Sequence, residues 1–542
     1  MSAEENSISI PYHQPRDLLQ RFLELTTGLL PFIFLGILVV LSRFYIRAAA
    51  VVLLVYTLAW LIRLLGYSYR LLACNYYLTL SERLDWQSKL DDVLKNDVPV
   101  VDSEGFWGER SARWYNRMLR SSRTPVADRL NPYDVYNAVI IAFYNEPIEI
   151  LESTIEAVKN NKFDHDKIIL IVACEERAGK KTVNAVKALV KQYDKDFHLA
   201  AAIEHPADMP GEAKAKAGNI TFSAKYLSSY CLSNGIDVKK VMVTTLDADT
   251  RPHSQYFSAL TWVYAMTANR IKRSFQPLPL FTNNIWDAPA IVRVVATDSS
   301  FWFMIGAMTP QRLRLFSAYA QSLKTLQDVD YWNVETVVED GHQYWRSYFT
   351  FHGDHKALPV WLPIYQDAVL SDGYWKTVSA QFRQLRRWAW GTADTPWLIR
   401  QALKDDSISW RNKLIHIYRQ LDDYVAWSTA PLILTIGGWL PLLLLPGASS
   451  SIVALKLPII LSALQAIALI GLIAPIVATL KHLPPRPKRY TRFRSLMMVV
   501  QWALEPIALI AFIALASLNA HLRLIMNRPL ETFDTTEKTR RE

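Results

Sequence analysis

Three short motifs stand in one order within the only long polar stretch of this 542-residue chain: Asp247-Ala248-Asp249, then Glu339-Asp340, then Gln384-Leu385-Arg386-Arg387-Trp388. The first follows an apolar run, residues 241–246, so two carboxylates stand where a buried strand would end. Hard oxygen ligands of that kind suit a divalent cation holding a diphosphate. The second pair, about 90 residues on, supplies a carboxylate able to take a proton from a hydroxyl. The third offers a guanidinium for a departing pyrophosphate and an indole for the face of a sugar ring. Each also has a plainer alternative. The first pair can cap a helix beginning near His253, the second can pair with Arg346, and the third can be an Arg-Trp anchor at a membrane interface.

Bringing these groups together requires a sheet. Apolar runs at 135–143, 167–173, 199–203 and 241–246 alternate with helical patterns at 148–158, 180–192 and 213–230. Strand and helix in turn predict a parallel α/β sheet, with ligands beyond the carboxyl ends of the strands. The acidic groups at those ends are Asn145-Glu146, Glu175-Glu176 and Asp247-Ala248-Asp249. Lys214 and Asn219, around Gly218, are further candidate donor contacts.

The remainder is a membrane protein by composition, with 51% hydrophobic and only 20% charged residues. Apolar segments at 22–41, 44–65, 425–446, 457–480 and 496–518 are each long enough to cross a bilayer. Glu505 lies inside the last one, where a charge is costly. The basic loop 481–494 is expected in the cytoplasm by the positive-inside bias. Counting five crossings from there puts the polar block and the amino terminus inside and the carboxyl tail outside. Arg523, Arg528, Lys538, Arg540 and Arg541 argue against that tail, which a re-entrant segment would explain.

The expected organisation is therefore a transmembrane hairpin at 1–66, an interfacial helical linker with Trp86, Trp107 and Trp114 at 67–130, the polar domain at 131–400, an interfacial segment at 401–424, and transmembrane helices with a tail at 425–542. The net charge of +10 is spread around the apolar segments and not gathered in a nucleic-acid motif, so nucleic acid is not an expected partner. Three cysteines without metal spacing indicate neither a disulfide framework nor a zinc site.

The strings IAFYNEP, KAKAGNIT, TTLDADTRP, VVEDGHQYWR and QLRRW resemble, in order and spacing, the membrane-integrated family-2 glycosyltransferases, a group that includes cellulose, hyaluronan and poly-N-acetylglucosamine synthases and ceramide glucosyltransferase. The resemblance covers residues 135–395. It implies a GT-A fold, Rossmann-like and mostly parallel, inserted between N- and C-terminal transmembrane helices. It also implies a nucleotide-sugar donor, a UDP-sugar before a GDP-sugar, with Mg or Mn and inversion at the anomeric carbon. By the same resemblance Asp249 and Asp247 hold the metal, Asp247 also touches the donor, and Asn145, Glu146, Glu175, Glu176, Lys214 and Asn219 line it. Asp340 is then the base beside Glu339, Arg387 faces the leaving group, and Gln384 and Trp388 face the acceptor. Glu175-Glu176 departs from the aspartates usual in the family. The acceptor is expected to be a growing β-linked polysaccharide, with translocation and export subunits open, or a membrane lipid. A non-catalytic scaffold subunit would be expected to break one of the acidic motifs, and both are intact.

Overall fold

The computed structural model describes residues 17–95, 109, 112–113, 116–117, 125, 128–468, 471 and 473–530. Trp107, Trp114, Lys538, Arg540 and Arg541 lie outside the described residues. The alternating pattern builds what it predicts. Strands β1 (Tyr136–Phe143), β2 (Ile168–Glu175), β3 (Leu199–His205) and β4 (Val241–Asp247) are joined by helices Ile148–Lys159, Lys180–Lys191 and Lys216–Ser233. β2, Ile-Ile-Leu-Ile-Val-Ala-Cys-Glu, is buried along its whole length, as a parallel strand covered on both faces requires. β1 pairs in parallel with both β2 and β4, and β2 with β3. The chain thus leaves β1 toward β2 and β3 on one side and returns to β4 on the other. This reversal opens a crevice at the carboxyl ends of β1 and β4.

A second half continues the sheet with β5 (Arg251–Pro252), β6 (Arg273–Leu280), β7 (Ala320–Ser322) and β8 (Lys356–Tyr365), in the overall order β3-β2-β1-β4-β7-β6-β8-β5. β7 runs antiparallel to β4 and β6, while β6 and β8 are parallel. The sequence pattern hides this half. β6 contains Pro277 and Pro279, β8 contains Pro359 and Pro363, and prolines argue against a central strand. The sheet accommodates them with a register shift between Gln276 and Leu278. The architecture is the expected one: a mostly parallel α/β domain set between N- and C-terminal helices of membrane length.

Among the described residues six helices are long and apolar enough to cross a membrane: Leu18–Phe44, Ile46–Arg83, Ala290–Ala307, Trp410–Leu444, Ile452–His482 and Arg492–Ile525. Two of them begin and end beside the domain. Ala290–Ala307 lies between β6 and β7, which pair with each other through Phe275 and Ala320, so both of its ends belong to one sheet. Arg492–Ile525 starts with Arg494 donating to the carbonyls of Trp286 and Ala288, and ends with Leu524 packed among Val337, Val338 and Trp390.

The helix Ala290–Ala307, inside the polar block, is not among the five segments expected to cross. The described end of the chain, with Arg523 and Arg528, lies on the domain's side together with the amino-terminal end of Leu18–Phe44. There Arg21 caps the last helix by donating to the carbonyls of Leu524 and Ile525. The basic loop sits on that side as well, with Arg489 paired to Asp287 at 2.8 Å. Three of the expected domain edges fall inside continuous helices, Ile46–Arg83, Asp394–Lys404 and Trp410–Ile436.

Candidate active site

The last residue of β4 is Asp247, and a turn closed by Thr250 N donating to Asp247 O aims the next residues across the strand ends. Asp249 is buried, and its carboxylate accepts the backbone N–H of Asp367 at 3.0 Å. Asp247 accepts Ser317 Oγ at 2.8 Å and the ammonium of Lys216 at 2.7 Å. Lys216 also faces Glu339 at 3.7 Å and so ties the first motif to the second. Burial alone would lower the Lys216 pKa, but the carboxylates of Asp247 and Glu339 outweigh it and hold the ammonium charged.

Glu339 and Asp340 open the helix Glu339–Thr350, where negative charge is favoured by the helix dipole. Asp340 accepts the N–H of Gly341 at 2.7 Å. Burial and the adjacent Glu339 charge push its carboxyl up to about 7. An acid so placed takes and releases a proton near neutrality. Arg346 does not pair with it; the guanidinium turns to the carbonyls of Val329 and Asp330. Nor do Asp247 and Asp249 cap the following helix, which starts at Tyr256 behind Gln255.

The third motif lies on the helix Tyr374–Ala389. Gln384, Arg387 and Trp388 all face a cavity of about 1200 Å³ that also holds Asp247, Asp249 and Asp340. Trp388 packs its ring 6.0 Å from Phe281 and 6.4 Å from Phe303. Just beyond, Gly391 touches the helix Trp410–Ile436 so closely that a Cβ would meet Tyr424 Oη at 2.1 Å.

The expected donor contacts divide by side. Glu146 lines the cavity and holds its own turn by accepting the N–H groups of Tyr144 and Asn145, while Asn145 is exposed and does not line it. Glu175, the end of β2, faces in and is raised by burial despite its pairing with Arg177. Glu176, one residue on, faces out and accepts Ala207 N. Asn219 is buried and donates to Ala173 O at 2.8 Å, a tie between helix and strand at the cavity wall. Gly218 allows a close approach, but by Glu212, whose Oε2 would lie 2.3 Å from a Cβ. Lys214 also reaches the cavity, with its ammonium 3.1 Å from the exposed carboxylate of Asp208.

Three groups escape sequence reasoning. Lys216 sits in the same string as Lys214 and could have been weighed with it. Arg177, over the Tyr144 ring at 5.1 Å, lines the cavity two residues after Glu175. Asp367, buried beside Asp249, carries no local motif. Among the described residues no group of three or more His, Cys, Asp or Glu forms a closed metal cage. Two carboxylates at an open strand end are instead an oxygen-only donor set that fits Mg or Mn with a diphosphate completing the shell.

No family model matches the chain, and no curated protein matches it. Among solved structures it is similar to the mannosyltransferase PcManGT from Pyrobaculum calidifontis in complex with GDP-Man and Mn2+, at 13% identity and TM-score 0.38 over 84% of this chain and 99% of that one. It is similar to GalNAc-T7 with UDP, GalNAc and Mn2+ at 12% identity and TM-score 0.31, over 53% and 57% of the two chains. S. aureus TarS matches at 10% identity and TM-score 0.30, over 72% and 55%.

Proposed function

We propose that the protein is an inverting membrane glycosyltransferase that moves a sugar from a nucleotide-sugar donor, a UDP-sugar before a GDP-sugar, to an acceptor presented from the bilayer. The observation that carries this reading is one continuous cavity joining Asp247, Asp249, Asp340, Gln384, Arg387 and Trp388 to the interior of the helix bundle.

Asp247 and Asp249 would hold Mg or Mn, which supplies positive charge to the diphosphate. Lys216 holds Asp247 and Glu339 in register through its ammonium. Asp340 takes the proton of the acceptor hydroxyl, whose oxygen forms the new bond to the anomeric carbon as the bond to the diphosphate breaks. A single displacement inverts configuration, so an α-linked donor gives a β-linkage. Arg387 meets the charge developing on the leaving group, and Trp388 with Phe281 and Phe303 walls the acceptor side.

The inner part of the cavity favours a lipid acceptor. Among the described residues its lining begins at Thr57 on the helix Ile46–Arg83, about 16 Å of helix from that helix's far end, and takes nothing from 436–463. Extension of a polysaccharide, with or without an export partner, is the second reading, supported by the aromatic wall at Trp388. A cytoplasmic domain is part of this reading, supported by the basic loop on the domain's side.

The test is nucleotide release by purified full-length protein in lipid nanodiscs with Mn or Mg, across UDP- and GDP-sugars, beside Asp249→Asn and Asp340→Asn. Release from one donor, lost in both variants, is expected, and sizing the product separates polymer from glycolipid. No release from any donor, with membrane lipids added back, would overturn the reading.

A further inference from the structure

The cavity changes character at one depth on two different helices. On Ile46–Arg83 its lining runs from Arg70, Tyr67 and Arg63 to Leu61, Trp60 and Thr57, going away from the domain. On Trp410–Ile436 it runs from Asp422 and Asp423 to Ala426, Ala430 and Leu434 in the same direction. Charge at the mouth gives way to apolar depth on both walls.

The charged level is predominantly cationic. Arg63 and Arg312 share Asp422 at 3.1 and 3.4 Å, and Arg312 also reaches Asp423 at 2.8 Å. Arg314 and Arg70 line the same space, and among the described residues neither is paired with a carboxylate. Arg314 stacks over the rings of Tyr344 and Trp345 at 4.4 and 4.7 Å, and its buried Nε has no hydrogen-bond partner. Within this cluster four guanidinium groups stand against the carboxylates of Asp422 and Asp423, and the same cavity is also lined by Asp298 and Glu505. Guanidinium forks are suited to phosphate oxygens. The cluster also adjoins the chemistry: Arg312 and Arg314 lead directly to Ser317, which donates to Asp247, and Trp345 is on the helix that Asp340 opens.

We infer that this chamber binds a lipid with a phosphate or diphosphate headgroup, the phosphate on Arg70, Arg312 and Arg314 and the hydrocarbon chain between Leu61, Ala430 and Leu434. The inference rests on the transferase reading only in naming this lipid as the acceptor: the hydroxyl reaching Asp340 is then carried on the far side of the phosphate. The binding site itself follows from the matched layers of charge and apolar surface. The committed occupant is a lipid, because a free phosphate would leave the apolar depth unexplained.

The probe is dioleoyl phosphatidic acid with a photoreactive diazirine in one acyl chain, added to the full-length protein in phosphatidylcholine nanodiscs. Cross-links are expected on 57–64 and 426–435, competed by unlabelled phosphatidic acid but by neither dioleoylglycerol nor inorganic phosphate. Arg312→Gln with Arg314→Gln should reduce labelling at least tenfold. Retention of a nucleotide with Mn reports that this variant is folded, and if it is not, Arg70→Gln should reduce labelling severalfold alone. Equal competition by dioleoylglycerol would mean an apolar pocket only, and loss of labelling to inorganic phosphate would mean a free-anion site; either overturns the inference, as does labelling indifferent to the arginines. Nucleotide release from the same nanodiscs separates the two readings. Release without specific labelling sinks the lipid site alone, and specific labelling without release from any donor sinks the transferase alone.

Discussion

The parallel and mixed halves of the sheet hold their polar groups by different means. At the ends of β1, β2 and β4 the carboxylates are fixed by the strands themselves and by short ties: Glu146 by two N–H groups of its own turn, Asp249 by Asp367 N, Asp247 by Ser317 and Lys216. In the mixed half Glu339, Asp340, Gln384 and Arg387 stand on helices whose backing is Ala520, Leu524 and Trp427, residues of the membrane-side helices. The donor side is therefore built before anything binds, whereas the acceptor side is only as firm as the helices behind it. Mutations in the first half should act on chemistry and nucleotide binding, and mutations behind the second should act on acceptor use.

The sharpest break of that division is at Asp340. Asp340→Asn should lower turnover about 10³-fold while nucleotide affinity stays within a few-fold, since the base serves the acceptor. Calorimetric nucleotide binding beside product formation measures both, and equal losses in the two would dissolve the distinction. Lys216→Met comes next, because Lys216 joins Asp247 at the end of β4 to Glu339 at the start of the helix Glu339–Thr350. Removing it leaves buried carboxylates without their cation, at a cost of roughly 3 kcal/mol, the low end for such pairs because Asp247 is a third exposed. Denaturant unfolding of the nanodisc protein reads this loss, and an unchanged midpoint would mean that the two carboxylates do not depend on this ammonium.

The pH dependence offers a finer probe. Asp340 must be ionised to act as a base, and its carboxyl is raised to about 7. The kcat/KM profile should therefore fall about tenfold per pH unit below neutrality. An acid limb near pH 4 would instead match an unperturbed carboxylate and remove Asp340 from the role. The smallest effect is expected at Arg21, which caps the helix behind the acceptor side. Arg21→Gln should cost about 1 to 2 kcal/mol in local stability and raise the acceptor KM with nucleotide affinity untouched. Hydrogen exchange of residues 515–525 would show it, and no change there would detach this helix from the acceptor wall.

The same division explains what could be read from the residues alone. β1 to β4 are continuous apolar runs ending in acids, so their boundaries and Asp247, Asp249, Glu146 and Glu175 follow from pattern. The failures are local or long-range. Asn145 against Glu146 and Glu176 against Glu175 are decided by which way a turn faces, and a turn leaves no periodic trace. β6 and β8 were masked by their prolines. The cluster of Arg63, Arg312 and Asp422 joins positions separated by hundreds of residues, so no spacing betrays it.

The contact of Leu524 with Val337 and Val338 also sets a schedule. Roughly 185 residues separate the acidic pair at 339–340 from the helix end that packs behind it. At about 5–20 residues per second, a ribosome needs about 10–40 s to make that stretch. Throughout this interval the nascent domain would own its donor-side strands but lack the backing of its acceptor wall. The chain would then become competent only once Arg492–Ile525 is made and meets Leu18–Phe44 at Arg21.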